Sequence, residues 1–163
     1  MPLLARRIVP LLLLLPLVAC SVRVRTPATI RAEENSLVSE ARAFMESYAV
    51  DLREGRRDAI IARYDPRGAY MMGRGEKRLL PTDSITAIYR GNQWQPPASF
   101  TWNDLSYEVV GPDAVVVAGT FDWGIDASRK LRVSYTGLLL RRDGRWMIRL
   151  EDEDAAPQRN PGG

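Results

Sequence analysis

The spacing of the apolar residues changes from helical to strand-like near residue 99, and this change constrains the fold more than any other feature of the chain. Before it, one apolar stripe recurs every three or four residues, at Leu37, Val38, Ala41, Phe44, Met45, Tyr48, Ala49 and Leu52. After it come β-branched and aromatic runs separated by short polar segments. The first pattern predicts an amphipathic helix and the second predicts strands in series. We therefore expect an α+β fold.

Three helices and two short strands are predicted in the first half. The helices are expected over 36–54, 57–64 and 82–90, and the strands over 69–72 and 77–80. Asn35 or Ser36 is expected to cap the first helix, and Thr82 or Asp83 the third. Gly55 is expected to end the first helix, because glycine readily adopts the left-handed conformation that closes a helix.

Four antiparallel strands are predicted in the second half, over 100–110, 114–125, 129–142 and 145–153. Their connections are short, and the last is the dipeptide Asp143-Gly144. Such connections are typical of β-hairpins, so the four strands are expected to pair in sequence order.

The N-terminus indicates an export signal. Arg6 and Arg7 precede an apolar run, Ile8–Ala19, that contains two prolines. A helix that spans a bilayer needs roughly 20 apolar residues, so this run is too short to be a span and has the length of a signal sequence.

The residues Leu17-Val18-Ala19-Cys20 resemble the bacterial lipobox, and Cys20 is the only cysteine of the chain. The resemblance implies cleavage before Cys20 and acylation of its thiol, so residues 1–19 are expected to be a lipoprotein signal peptide. Acyl chains on Cys20 would then hold the protein on a membrane of the bacterial cell envelope. Ser21, by resemblance to the enterobacterial sorting rule, favours the outer membrane, with the protein facing the periplasm.

Composition divides the mature chain into three parts. Residues 20–35 are polar and are expected to be a tether, residues 36–154 a single domain, and residues 155–163 a disordered tail. The formal net charge of the chain is only +3, and the two signal arginines contribute part of it. Without a concentrated basic face, nucleic acid is not an expected partner.

Three stretches, 43–64, 82–90 and 138–152, resemble the nuclear transport factor 2-like superfamily, in particular its SnoaL-like branch. The last hairpin, Leu140 to Ile148, has the superfamily's pattern of apolar residues, Asp-Gly, any residue and Trp. The resemblance implies a cone, in which three N-terminal helices pack on a strongly bent, mostly antiparallel sheet around a pocket. It also implies that the outer face of the sheet forms a homodimer.

Histidine is absent from the chain, which excludes Ser-His-Asp and Cys-His catalysis. The resemblance to ketosteroid isomerase places that enzyme's oxyanion-donating tyrosine on Tyr48, but its general base falls on Met72. A core tyrosine is therefore the favoured interpretation of Tyr48. If catalysis occurs, Asp65 and Asp122 are the candidate carboxylates that would act with it.

The pocket of the cone is expected to draw on eight residues, namely Tyr48, Tyr70, Met72, Trp102, Tyr107, Trp123, Tyr135 and Arg149. Trp94, in a polar loop, is expected either to act as a lid or contact point or to pack on the third helix. Arg149 is expected to pair with Glu151 or Asp122, either in the cavity or, as is favoured, as an exposed cross-strand ion pair. The acidic run 151–154 is interpreted as a solvated strand end, and no metal site or cofactor is expected.

The sequence therefore favours a membrane-anchored envelope lipoprotein whose cone domain binds a small apolar or amphipathic ligand, or a protein partner, without catalysis. One alternative is a lyase, isomerase or hydrolase that uses Tyr48 and a pocket carboxylate. Another is a structural dimerisation module of an envelope assembly.

Overall fold

A computed structural model describes residues 26–73 and 75–155. Its helices are α1 (Pro27–Glu54), α2 (Arg57–Ile61) and α3 (Thr82–Arg90). Its strands are β1 (Ala69–Gly73), β2 (Glu76–Leu80), β3 (Ser99–Gly111), β4 (Ala114–Gly124), β5 (Lys130–Arg142) and β6 (Arg145–Ala155). The predicted signal peptide, Cys20 and residues 156–163 of the predicted tail lie outside the described residues. Within the described ranges, no helix combines the length and apolarity needed to cross a membrane.

The six strands form one sheet in the order β2-β1-β6-β5-β4-β3. Neighbouring strands are antiparallel except β1 and β6, which run parallel. The meander β3 to β6 follows the predicted order, and the helices pack on one face of the sheet, as the core residues show. The predicted α+β class is confirmed.

Helix α1 begins at Pro27 and not near Ser36, so residues 27–35, which were expected in the tether, are helical. The side chain of Thr26 caps this end by accepting a hydrogen bond from the backbone N–H of Thr29 at 3.2 Å. Pro27 occupies the first turn, where a missing N–H costs nothing. Residues 27–36 are exposed, which explains why the sequence has no apolar stripe there to indicate a helix.

The ends of the other elements follow local backbone chemistry. Gly55 closes α1 in the left-handed conformation, with φ of 64°, as predicted. Helix α2 is shorter than predicted and ends at Ile61, while Tyr64 forms an isolated parallel bridge with Ile148 of β6. That bridge attaches the chain after α2 to the edge of the meander.

Helix α1 lies against the concave face of the sheet and supplies much of the core. Its buried residues include Ala41, Met45, Tyr48, Ala49 and Leu52. They belong to one cluster with the inward side chains of the meander, which include Phe100, Val115, Val117, Phe121, Val133, Tyr135, Leu139 and Ile148. Burial of this apolar surface is the main stabilising contribution to the domain.

A β-bulge at Arg149 reverses the facing of the last strand. Leu139 pairs with Ile148, but the adjacent Leu138 pairs with Leu150, so Arg149 is an extra residue. Regular alternation predicts that Glu151 faces outward, opposite to Ile148. Because of the bulge, Glu151 instead faces the interior with Ile148, and the prediction of a solvated strand end is wrong for this residue.

The same register decides which side chains of β1 face inward. Met71 pairs with Glu151 and therefore shares its inner face, whereas Tyr70 pairs with Leu150 and Met72 with Asp152. Tyr70 and Met72 consequently face outward. On that outer face one row of apolar side chains crosses five strands, at Val116, Leu138, Leu150, Tyr70 and Leu79.

Candidate functional site

Five side chains form a buried hydrogen-bonded cluster, which we call the tyrosine–glutamate network. Glu151 is 2% exposed. Its Oε2 accepts a hydrogen bond from the Tyr64 hydroxyl at 2.7 Å, and its Oε1 accepts one from Tyr135 at 3.4 Å. The Tyr64 hydroxyl is also bonded to the hydroxyls of Tyr48, at 3.1 Å, and Tyr89, at 2.6 Å.

Every layer of the fold contributes to this network. Tyr48 comes from α1, Tyr89 from α3 and Tyr135 from β5, whereas Tyr64 lies just after α2. Backbone hydrogen bonds on both sides of Tyr64 fix it to β6, since Asp65 N donates to Ile148 O and Ile148 N donates to Arg63 O. The network is therefore anchored by backbone as well as by side chains.

Gly137 makes room for Tyr135 in the network. A Cβ atom at Gly137 would lie 2.5 Å from the Tyr135 hydroxyl oxygen and 2.8 Å from its Cζ. The missing side chain lets the tyrosine ring fold back along β5 towards Glu151, which pairs with Gly137 across the strands. The sequence predicts Tyr135 in the pocket, but it does not indicate that Gly137 leaves the space for the Tyr135 ring.

The direction of the hydrogen bonds follows from counting protons. A tyrosine hydroxyl has one proton to donate. The Tyr64 proton is directed to Glu151, so the Tyr64 oxygen accepts from both Tyr48 and Tyr89. With Glu151 ionised, all four tyrosine protons point into the network, and the outer lone pairs of Tyr48 and Tyr89 are left as acceptors.

Burial sets the protonation states of the network. Loss of hydration raises the pKa of Glu151 to about 7, even though the surrounding hydroxyls of Tyr64, Tyr48 and Tyr135 favour the charged form. Burial, and then the nearby Glu151 carboxylate, raises the pKa values of Tyr48, Tyr64, Tyr89 and Tyr135 above the ordinary tyrosine value. Near neutral pH the tyrosines therefore keep their protons and only the glutamate changes charge.

A cavity of about 380 Å³ adjoins the network. Its lining is mostly aromatic and aliphatic, and comprises Tyr48, Leu52, Met71, Ile88, Tyr89, Trp94, Phe100, Trp102, Phe121, Trp123, Leu131, Val133 and Glu153. Tyr48 and Tyr89 belong to both the wall and the network, so the hydroxyl network reaches the cavity. A concave apolar site with a few polar groups is the usual form of a small-molecule site.

Three of the residues predicted for the pocket, Tyr48, Trp102 and Trp123, line this cavity. Tyr135 lies behind the wall, where its hydroxyl bonds to Glu151. Trp94 also lines the cavity and packs edge-on against Tyr89 of α3, with ring centres 5.4 Å apart. Trp94 therefore packs on the third helix, one of the alternatives considered for it, and its side chain also lines the cavity.

Arg149 lies outside the cavity and pairs with neither Glu151 nor Asp122. Its Nη1 donates to the backbone oxygens of Arg67, at 3.3 Å, and Gly68, at 2.6 Å, and its guanidinium lies 5.3 Å from the centre of the Tyr70 ring. Tyr70 and Met72 share this outer side, because the bulge at Arg149 fixes the register of β1. The expectation that these three residues line the pocket is corrected.

Tyr107 lies in a different depression, a groove of about 550 Å³ between α1 and β3. Its ring is 4.8 Å from the Arg42 guanidinium, and the groove is also lined by Glu46, Arg53 and Asp104. It does not line the cavity beside the network.

Neither candidate catalytic aspartate lines the cavity. Asp65 is fully buried, but its carboxylate binds Arg67 and Arg142, each at 3.3 Å. Asp122 faces outward and pairs with Arg132 of β5 at 2.8 Å. Both are structural ion-pair residues, and the carboxylate that meets Tyr64 and Tyr135 is Glu151.

The regular alternation of side chains along a strand does not predict that Glu151 is buried. A regular strand would place it with Met147, and the extra residue that turns it inward has no signature in the segment Ile148-Arg149-Leu150-Glu151. With Glu151 interpreted as part of a solvated strand end, the sequence predicts no hydrogen-bond partner for Tyr64 or Tyr89. Among the residues that the structure describes, no group of three or more His, Cys, Asp or Glu side chains is placed to hold a metal ion.

No family model matches the chain, and no curated protein is significantly similar to it. Solved structures are similar in fold. An NTF-2-like protein of unknown function from Shewanella oneidensis is 16% identical, with a TM-score of 0.64 over 72% of this chain and 98% of that one. An NTF2-like protein of unknown function from Pseudomonas putida is 20% identical, with a TM-score of 0.63 over 75% and 88%.

An enzyme has a similar fold as well. Hexachlorocyclohexane dehydrochlorinase LinA-type3 from Novosphingobium barchaimii is 12% identical, with a TM-score of 0.58 over 77% of this chain and 90% of that one. At these identities the likeness concerns the fold alone. The chain has the nuclear transport factor 2-like fold, with its helices packed on a mostly antiparallel sheet, as the sequence resemblance implied.

Proposed function

We propose that the chain is an envelope lipoprotein whose cone domain binds a small amphipathic molecule in the cavity beside the tyrosine–glutamate network. The observation that carries the proposal is the cavity itself, an aromatic space of about 380 Å³ whose wall includes the network residues Tyr48 and Tyr89. An apolar ligand body would contact the rings, and a polar end would reach the hydroxyls.

The anchor places this domain close to a lipid surface. Residues 20–26 separate Cys20 from the first helical residue, Pro27, and even a fully extended segment of that length spans at most about 25 Å. A hydrophobic ligand that partitions into the bilayer would therefore be concentrated near the cavity. Intact-mass analysis that finds acyl groups on an N-terminal Cys20 would support the anchor, and a free thiol there would exclude it.

The binding proposal is tested by narrowing the cavity at its rim. Ile88 lines the cavity and is 43% exposed, so Ile88→Trp adds volume there without opening the core. Leu79, 49% exposed on the outer face of β2, provides the matched control Leu79→Trp. In a thermal-shift screen of neutral and charged amphipathic compounds, we expect hits to stabilise the unmodified protein and Leu79→Trp, but not Ile88→Trp. Equal stabilisation of all three would contradict binding in this cavity.

A second candidate function, acid–base catalysis, is favoured by one observation. Glu151 is a buried carboxyl group with a pKa of about 7, linked through Tyr64 to two tyrosines of the cavity wall. A group with such a pKa exchanges protons readily at neutral pH. If a substrate is turned over, we expect Glu151→Gln to abolish turnover and leave ligand binding intact; turnover that survives this change would exclude Glu151 as the base.

The homodimer through the outer face of the sheet stays a prediction. The apolar row from Val116 to Leu79 is compatible with such an interface, and light scattering of the protein in detergent would measure the oligomeric state.

A further inference from the structure

We propose that the ligand of the cavity is a protonated organic amine with an apolar body. The inference rests on the proposed function, because it names the chemical class that the same cavity would take. Three independent features of the wall, namely its charge, its hydrogen-bonding capacity and its aromatic rings, select this class over neutral and anionic compounds.

The lining of the cavity holds one carboxyl group and no cationic side chain. Glu153 is the only charged residue among those that line the cavity, and no ion pair of Glu153 is found within residues 26–73 and 75–155. Glu153 lies on the same face of β6 as Glu151, beyond the bulge, and pairs with the inward Tyr135, but its side chain is exposed at this end of the strand. Partial burial of the carboxyl group, and then the nearby Glu151 and Asp152, raises the pKa of Glu153 to about 8. A cation beside Glu153 would favour its ionised form, whereas an anionic ligand would have no arginine or lysine of the lining to neutralise it.

The tyrosine hydroxyls beside the cavity are hydrogen-bond acceptors towards a ligand. The protons of Tyr48 and Tyr89 are directed into the network while Glu151 is ionised, so a ligand that reaches these hydroxyls would meet only their lone pairs. The Glu153 carboxylate is also an acceptor. A ligand that brings its own N–H donors matches these three groups, whereas a carbonyl or a carboxylate finds no donor among them.

The aromatic rings of the lining are the third feature that favours a cationic ligand. Trp94, Trp102 and Trp123 line the cavity together with the rings of Tyr48 and Tyr89. The ring quadrupole attracts cations, and tryptophan is the strongest of the natural side chains in this respect. Aromatic walls combined with a carboxylate are the form of site that binds ammonium groups.

Charge-matched compounds on one skeleton test the inference. Titration calorimetry of the full chain in a neutral detergent would compare 3-phenylpropylamine, its alcohol analogue 3-phenylpropan-1-ol and the anion 3-phenylpropionate. We expect the amine to bind roughly tenfold more tightly than the alcohol, and the anion not to bind. Glu153→Gln should remove most of the difference in affinity between the amine and the alcohol. Glu108→Gln, at an exposed position of β3, should leave this difference unchanged.

Each outcome decides the matter. An amine preference that disappears in Glu153→Gln supports the inference. Alcohol binding as tight as amine binding overturns the inference and leaves the proposed function standing. If Glu153→Gln still binds the amine more tightly than the alcohol, Glu153 is not the group that recognises the ammonium, and this part of the inference is overturned. If none of the three compounds binds, the inference is overturned, and the thermal-shift screen with Ile88→Trp decides separately whether the cavity binds a ligand.

Discussion

The free energy of unfolding of this protein is expected to fall by roughly 3 kcal/mol between pH 5 and pH 8, because of Glu151 alone. Burial raises the pKa of this carboxyl group from 4.5 to about 7 in the folded chain. Between these values the folded chain holds a proton that the unfolded chain releases. The folded state is therefore favoured at low pH, and the advantage is lost as the pH rises through 7.

The groups that face Glu151 do not change this expectation. Tyr48, Tyr64, Tyr89 and Tyr135 have pKa values raised above 10 and stay protonated throughout the range. Surrounding protein, and then repulsion from Glu151 and Asp152, raises the pKa of Glu153 as well. The Glu153 side chain is exposed, however, so water screens its charge and its contribution to stability is small.

Urea unfolding of three proteins at pH 5 and pH 8 would measure the effect. The unmodified protein and Glu153→Gln should both lose stability as the pH rises. Glu151→Gln, which keeps the shape of the side chain but cannot ionise, should be almost equally stable at both values. A Glu151→Gln protein whose stability falls as steeply as that of the unmodified protein would show that Glu151 is not the titrating group.

The second large effect is expected from Asp51→Ala, which should lower the free energy of unfolding by about 3 kcal/mol. Asp51 is buried at the end of α1, where its Oδ2 accepts from Arg63 Nε at 2.7 Å and also pairs with Arg63 Nη2, while its Oδ1 accepts from Arg56 Nη1 at 3.3 Å. Alanine would leave the mostly buried Arg63 without its carboxylate. Because Arg63 precedes Tyr64, the loss should also loosen the network.

Glu54→Ala provides the matched control for this prediction. Glu54 pairs with the same Arg56, but both side chains are about half exposed. A pair in water contributes little, so the loss should stay below about 1 kcal/mol. Denaturant unfolding measures both variants. Equal losses from the two substitutions would contradict the view that Asp51 joins α1 to the segment that carries Tyr64.

Local signals in the sequence were sufficient to predict most elements of the fold. The left-handed Gly55, the Asp143-Gly144 turn and the apolar stripe of α1 each depend on neighbouring residues, and each lies where it was predicted. The start of α1 was missed although Thr26-Pro27 has the composition of a helix N-terminus. The first turns of α1 bury no apolar residue, so the apolar pattern does not extend to the capping residue Thr26.

The site was harder to predict because its central carboxyl group depends on a register shift. Glu151 faces inward only because Arg149 is an extra residue opposite Leu138 and Leu139. Tyr64, Tyr89 and Tyr135 acquire their hydrogen-bond partners from elements distant in sequence. Side-chain period identifies buried faces, but it does not show where a strand departs from that period, and here that departure creates the site.

Ligand binding in the cavity is the central claim, and the four tryptophans of the chain allow it to be measured directly. Trp94, Trp102 and Trp123 line the cavity, whereas the Trp146 indole N–H donates to Glu40 at 3.3 Å, away from it. In NMR spectra of protein labelled with ¹⁵N-tryptophan, a saturating compound from the thermal-shift screen should shift the indole signals of Trp94, Trp102 and Trp123 and leave that of Trp146 in place. A shift confined to Trp146, or four unchanged signals at saturation, would contradict the account.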